Sequence, residues 1–192
     1  MIDWHDNKTP LFVFLDRDGT LIEEKNYLDR VEDMAFIDGA EQAVARLNAA
    51  GFKVIVISNQ SGVARGFFPE STVHAIHRAI QAHLEKHGAH IDAFYYCPHH
   101  PEDNCSCRKP KTGMLEQAAQ ELNLPLWGFM VGDRTSDLAA ARAAGLTPIL
   151  VRTGYGEETL AEGNVDADFI AADLKEAVEW ILSSNTSPTQ NG

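Results

Sequence analysis

Short, unbroken apolar runs alternate along the chain with longer stretches whose apolar residues recur every three or four positions. Residues 11–15 (Leu-Phe-Val-Phe-Leu) form one such run, which stops abruptly at an acidic turn. Residues 53–58, 127–131 and 148–151 repeat the pattern and end at Asn59-Gln60-Ser61-Gly62, Gly132-Asp133 and Arg152-Thr153-Gly154. Runs of this length without polar alternation suit strands buried on both faces. Helical periodicity covers residues 40–50, 70–87, 113–122 and 136–144, with Gly51, Gly88 and Gly145 standing where a helix stop is expected. Residues 91–96 read as a further strand, 167–170 as an edge strand and 173–182 as a last helix.

Strands alternating with helices imply a parallel sheet covered on both faces. The expected fold is therefore α/β, a three-layer Rossmann-like parallel sheet forming one domain over residues 1–183. Two segments break the alternation. Residues 21–37 are charged and irregular and are expected to form a small flap over the strand ends, while residues 97–110 are rich in Pro, Cys and charge. Residues 184–192 are polar and are expected to be a disordered tail.

Composition narrows the classes of function. At 192 residues, 44% hydrophobic and 23% charged, the chain suits one globular domain, and no apolar run is long enough to span a bilayer. The N-terminal Met-Ile-Asp-Trp-His-Asp-Asn-Lys lacks the basic flank and apolar stretch of a signal peptide, so a cytoplasmic location is expected. A net charge of −12 argues against nucleic-acid binding, which relies on Lys and Arg to neutralise phosphates. An acidic protein that handles an anionic substrate must gather its cations locally or recruit metal ions.

In open parallel sheets, ligands bind beyond the carboxyl ends of the strands. Here three strand ends carry Asp16 with Asp18, Ser58, and Asp133. A carboxylate can attack phosphorus directly and form an aspartyl-phosphate, while a second carboxyl protonates the leaving oxygen and then activates water. Attacker and phosphate are both anionic, so a bridging divalent cation is needed, and oxygen ligands suit Mg²⁺. The alternative for Asp16-Arg17-Asp18-Gly19-Thr20 alone is an Asx-rich turn. Ser58 and the amides of Asn59 to Ser61 offer donors to a phosphoryl group, and Asp133 offers a metal carboxylate. Asp137 reads either as a companion to Asp133 or as a helix-terminal residue. Arg108, Lys109 and Lys111 follow the cysteine loop, and the residues alone do not choose between the two lysines as the phosphoryl cation.

The three cysteines all fall within the run Cys97-Pro98-His99-His100-Pro101-Glu102-Asp103-Asn104-Cys105-Ser106-Cys107. Clustered thiols without an export signal read as metal ligands rather than a disulfide framework. Cys97, His99, Cys105 and Cys107 can close a tetrahedral structural Zn²⁺ site that braces the loop carrying Arg108 and Lys109. His100 is the alternative ligand, and the symmetric spacing favours His99. His74, His77, His83 and His87 lie on one helix, but at about 100° per residue the four cannot converge on one ion.

Asp16-Arg17-Asp18-Gly19-Thr20, Ser58, Lys109 and Gly132-Asp133-Arg134-Thr135-Ser136-Asp137 resemble, in order, the motifs of the haloacid dehalogenase superfamily of phosphotransferases. That resemblance implies Asp16 as nucleophile, Asp18 as general acid/base, Ser58 and Lys109 as phosphoryl stabilisers, and Mg²⁺ held by Asp16, the Asp18 carbonyl and Asp133. Residues 59–66, 95–101, 105–110 and 113–115 are similar to the family of D-glycero-D-manno-heptose 1,7-bisphosphate 7-phosphatases. This implies hydrolysis of a small sugar bisphosphate in nucleotide-activated heptose synthesis. Its contacts would be Glu24, Lys25, Asn26, Tyr27, Ser58, Asn59, Gln60, Ser61, Arg108, Lys109 and Arg134. The alternatives are a histidinol-phosphate phosphatase, which shares these motifs, and a catalytically silent zinc-braced binding domain. A small catalytic domain with a modest flap is expected to work as a monomer.

Overall fold

The computed structural model describes residues 11–163 and 165–184. Six strands form one sheet: β1 (Phe12–Leu15), β2 (Lys53–Asn59), β3 (Ala93–Cys97), β4 (Gly128–Gly132), β5 (Thr147–Val151) and β6 (Phe169–Ala171). Their spatial order is β3-β2-β1-β4-β5-β6, and every neighbouring pair is parallel. The chain moves outward from β1 to β3 and then returns to the other side of β1. The crevice between the carboxyl ends of β1 and β4 is therefore the topological switch point, where such sheets bind ligands.

The helices are α1 (Ala40–Ala49), α2 (Glu70–Lys86), α3 (Gly113–Glu121), α4 (Thr135–Ala143), α5 (Gly156–Glu162) and α6 (Leu174–Ser184). All four residues of β1 are fully buried, and alternate ones serve opposite faces. Val13 and Leu15 join the core under α1, α2 and α6, while Phe12 and Phe14 join the core under α3 and α4. Burying each large apolar side chain contributes roughly 1.5–3 kcal/mol, so this short strand is the centre of both cores. Helix α6 shows the matching helical stripe, burying Leu174, Ala177, Val178 and Ile181. No helix among the described residues is long and apolar enough to cross a membrane.

The expected α/β architecture is what the structure shows, with differences of one or two residues at most element ends. Helix α5 was not expected. It buries only Gly156 and Thr159, so it carries no apolar stripe for periodicity to reveal. Strand β6 lies slightly beyond the expected residues because Ala171 is the fully buried position, while Phe169 stacks on Trp180 at 5.0 Å. The segment at 21–37 is anchored rather than loose. Leu21, Ile22 and Leu28 are buried, and Ile22 bridges to both Asp18 and Phe36. Ser184 is the last residue of α6, and the expectation for the tail beyond it lies outside the described residues.

The first residue of β4 sits against the backbone of β1. Gly128 has φ +129°, and a Cβ there would stand 1.9 Å from the Phe12 carbonyl oxygen. Gly128→Ala therefore combines backbone strain with a clash that no side-chain rotation relieves. It is expected to lower stability by roughly 3 kcal/mol or more in urea unfolding.

Candidate active site

The carboxyl end of β1 is fixed by its neighbour, since the Asp16 amide donates to Val131 O at 2.9 Å. The Asp16 side chain then meets Lys109, whose Nζ donates to Asp16 Oδ1 at 2.6 Å and Ile57 O at 3.0 Å and lies 2.7 Å from Asp137 Oδ1. These three partners use all the hydrogens an ammonium has. Burial acts to lower the Lys109 pKa, but Asp137 and Asp16 outweigh it and hold the group above its ordinary value. Asp16 is pushed well above the usual carboxylate range, first by burial and then by Asp137, Asp133 and Asp18, with Lys109 opposing. Lys111 reaches instead to Asn104 and the Cys105 carbonyl, away from this cluster. The structure thus separates the two lysines that sequence alone left open.

Asp133 follows β4 and is fully buried. Its Oδ2 accepts from the Tyr155 amide at 2.8 Å, and its carbonyl accepts from Thr159 Oγ1 at 2.8 Å. Its Oδ1 is buried with no partner among the described residues. Burial, with Asp137 next in weight, pushes Asp133 up to about 7. Asp16, Asp133 and Asp137 bring carboxylate oxygens within 4.8 Å of one another. Asp137 already spends Oδ1 on Lys109 and Oδ2 on the Arg134 amide, which makes it an ion-pair and helix-capping residue. The unpartnered oxygen of Asp133 beside Asp16 is what a hard divalent cation such as Mg²⁺ would take. The cradle is tight, because a Cβ at Gly19 or at Gly154 would come within 2.2 Å of Asp133 Oδ2.

Asp18 is held from two sides. Arg17 Nε donates to Asp18 Oδ2 and Nη2 to Oδ1, each at 3.0 Å, and Gln60 Nε2 donates to Oδ2 at 2.9 Å. Gln60 also donates to Ser58 Oγ at 2.6 Å, leaving the Ser58 hydroxyl hydrogen free to reach an anion. Asn59 makes a reciprocal amide pair with the backbone N–H and C=O of Lys109, both at 3.1 Å. Its side chain fixes the Lys109 loop to the end of β2.

A cavity of about 310 Å³ opens above these groups. Asp16, Asp18, Ser58, Asn59, Gln60, Ser61, Arg108, Lys109 and Arg134 line it, with Glu24, Asn26 and Tyr27 from the segment at 21–37. Burial, with Asp18 next, raises the Glu24 pKa. Lys25 is the exception among the expected contacts. It lies outside the lining, and its Nζ pairs with Glu23 at 2.6 Å, because the tip of the segment turns through positive φ at Asn26 and Tyr27. Cations gather here despite the acidic whole: Arg65 joins Arg108, Lys109 and Arg134 on the lining. Arg108 Nη1 is buried without a partner among the described residues, and the Arg134 guanidinium sits 3.7 Å over the Tyr155 ring. Arg65, Tyr155, the Asp133 support from Thr159, and the Arg17 fork were not read from sequence.

The second cluster lies beside this cavity. Cys97, His99, Cys105 and Cys107 bring their donor atoms together, with Sγ–Sγ separations of 3.2–3.5 Å and His99 Nδ1 at 3.3 Å from Cys107. Sulfurs this far apart are not bonded, since a disulfide needs about 2.05 Å. The separations suit ligands around one tetrahedral ion with bonds of about 2.0–2.3 Å. Burial pushes the Cys97 thiol up to about 12. Burial also acts to raise Cys105, but the Arg108 amide and the neighbouring thiols lower it to about 7. His100 instead caps the short 3₁₀ turn Pro101–Asp103, accepting from the Glu102 amide. The four α2 histidines do not converge: His77 is buried against Phe94, His74 meets Tyr96, and His83 pairs with Glu41 at 2.9 Å.

Comparison with known proteins accords with this geometry. A family model described as HAD-hydrolase-like matches residues 106–177. A relative from Haemophilus ducreyi, named D-glycero-beta-D-manno-heptose-1,7-bisphosphate 7-phosphatase, is 41% identical over 178 residues, covering 88% of this chain and 97% of its own. The Thermosynechococcus vestitus protein named D-glycero-D-manno-heptose-1,7-bisphosphate 7-phosphatase is 45% identical over 187 residues, covering 89% and 95%. A crystal structure of D,D-heptose 1,7-bisphosphate phosphatase from B. bronchiseptica, complexed with magnesium and phosphate, superposes with a TM-score of 0.86. It is 38% identical and covers 91% of this chain and 99% of that one. The chain belongs to the haloacid dehalogenase-like hydrolases and, within them, to the D-glycero-D-manno-heptose-1,7-bisphosphate 7-phosphatase family.

The two adjacent histidines differ in what they touch, and zinc binding should separate them. His99→Ala is expected to weaken Zn²⁺ binding at least about tenfold in competition with a chromogenic chelator, because it removes one of four ligands. His100→Ala is expected to leave that affinity within about twofold, since it removes only a turn cap.

Proposed function

We propose that this chain hydrolyses the 7-phosphate of D-glycero-D-manno-heptose 1,7-bisphosphate through an aspartyl-phosphate on Asp16. The observation that carries the reading is the buried Asp16–Lys109–Asp137 arrangement beside an Asp133 oxygen with no protein partner. It lines a cation-bearing cavity, in a chain that shares most of its length with heptose bisphosphate phosphatases.

In the first step an Asp16 carboxylate oxygen bonds to phosphorus while the bond to the sugar oxygen breaks, and Asp18 gives that oxygen its proton. In the second, Asp18 takes a proton from water, the water oxygen bonds to phosphorus, and the bond to Asp16 breaks. Lys109 holds one oxygen of Asp16 and balances its charge during approach. The Ser58 hydroxyl and the amides after β2 receive the equatorial phosphoryl oxygens. Asp16, the Asp18 carbonyl and Asp133 would hold Mg²⁺, which when bound neutralises the repulsion between attacker and phosphate.

Arg108 and Arg134 suit the second phosphate, because the planar fork of a guanidinium can donate to two of its oxygens at once. Glu24, Asn26 and Tyr27 face the sugar. Zn²⁺ on Cys97, His99, Cys105 and Cys107 would leave no open coordination position and would brace the loop presenting Arg108 and Lys109. On this reading residues 1–183 act as one catalytic unit, a monomer working on a small molecule in the cytoplasm.

Phosphate release with Mg²⁺ should give a kcat/KM for heptose 1,7-bisphosphate well above that for histidinol phosphate. The reverse preference would overturn the assignment. Asp16→Asn is expected to reduce kcat by about 10⁴-fold or more, because it removes the nucleophile rather than a helper. With Asp133 at about 7 before the ion binds, protons compete with Mg²⁺ below neutrality. The carboxylate must be ionised to serve as a ligand, so the Mg²⁺ concentration giving half-maximal rate should be about tenfold higher at pH 6 than at pH 8.

A further inference from the structure

Arg17 lies between the two aspartates and is about as buried as any charged residue among the described residues, with 1% of its surface exposed. An isolated guanidinium at such a depth is costly unless its donors are used. Nε and Nη2 reach a single carboxylate, Asp18, in the two-bond fork for which a guanidinium is shaped, with Nη2 also 2.9 Å from Oδ2, while Nη1 is buried without a partner among the described residues. Burial pushes the nearby His77 down to about 3, with the charge of Arg17 next in weight. That ring stays neutral beside the guanidinium.

A carboxylate has about four acceptor positions, two on each oxygen. Arg17 Nε and Gln60 Nε2 both donate to Asp18 Oδ2, whereas Oδ1 receives only Arg17 Nη2. One acceptor position on Oδ1 remains. A carboxyl acting as general acid must carry its proton at a position no other donor occupies, and that proton must face the leaving oxygen.

We propose that Arg17 is a positioning residue: with Gln60 it fixes the plane of Asp18 and assigns proton transfer to Oδ1. This deepens the reaction proposed above and rests on Asp18 being its acid and base. Gln60 extends the same polar chain to Ser58 Oγ, so the proton donor and a phosphoryl donor share one orientation. The role demands a fork. A lysine at position 17 would keep the charge but could not hold both oxygens in one plane.

The test compares phosphate esters whose leaving groups need different amounts of help. A sugar alkoxide leaves poorly without a proton, while 4-nitrophenolate leaves readily, and kcat/KM for each reports events through the first phosphoryl transfer only. Arg17→Lys should reduce kcat/KM at least about ten times further for the heptose bisphosphate than for 4-nitrophenyl phosphate, within the range that general acid catalysis supplies. Equal losses on both substrates, or no loss on either, would overturn the proposal, because a merely structural arginine would disturb both alike. Thermal melting checks that the variant folds. Should it not fold, Arg17→Gln, whose single NH₂ cannot make the fork, carries the same comparison. Asp18→Asn serves as the reference: if it shows no such leaving-group bias, the acid assignment itself fails and the role of Arg17 falls with it.

Discussion

The buried ammonium of Lys109 is the charge on which the rest of the site depends. Asp16, Asp133 and Asp137 crowd together at the end of the sheet, and in a low-dielectric setting three carboxylates repel one another strongly. One lysine between Asp16 and Asp137 offsets part of that repulsion. It arrives from a loop rather than a strand, so the chain must fix that loop independently. Asn59 does so at the backbone of Lys109, and an ion on the Cys97–His99–Cys105–Cys107 cluster would do so two residues upstream. The metal-ligand loop and the carboxylate cluster therefore meet through Lys109, although Cys97 lies 81 residues after Asp16 in the sequence.

The sheet topology explains why these parts meet. β1 and β4 are adjacent although they are distant in sequence, and each ends in an aspartate at the switch point. The β5–α5 connection then closes over Asp133 through the Tyr155 amide and the Thr159 hydroxyl. One carboxylate oxygen is oriented by the protein while the other is left unclaimed. Hydrogen bonding thus distinguishes two nearby aspartates: Asp137 has a partner on each oxygen, whereas Asp133 keeps one oxygen without a partner among the described residues.

Much of this was legible in the residues themselves. The strands read clearly because parallel strands buried on both faces leave long apolar runs, and the chemistry stood out because those runs stop abruptly at Asp, Ser and Asp. What the sequence hid was of two kinds. Helix α5 has no apolar stripe, so it left no periodic trace. The polar side chains of Asn59, Gln60 and Arg17 gave no sign that they serve other residues of the protein, because long-range hydrogen bonds leave no local pattern. An arginine between two aspartates looks like a surface residue, yet it is buried. Lys25 stands apart from the lining for a related reason: composition says that a cation stands on the flap, but only the backbone turn at Asn26 and Tyr27 decides which way it points.

The closeness of Gly19 and Gly154 to Asp133 bears on how an inactive relative could arise. A methyl group at either position would intrude on the carboxylate that receives the ion, although neither glycine takes part in any bond-making step. A descendant chain could retain every acid, base and cation of the motif and still fall silent through one added carbon. On the proposed mechanism intact aspartates are necessary but not sufficient for activity, because the two hydrogen-only side chains beside them must also stay bare.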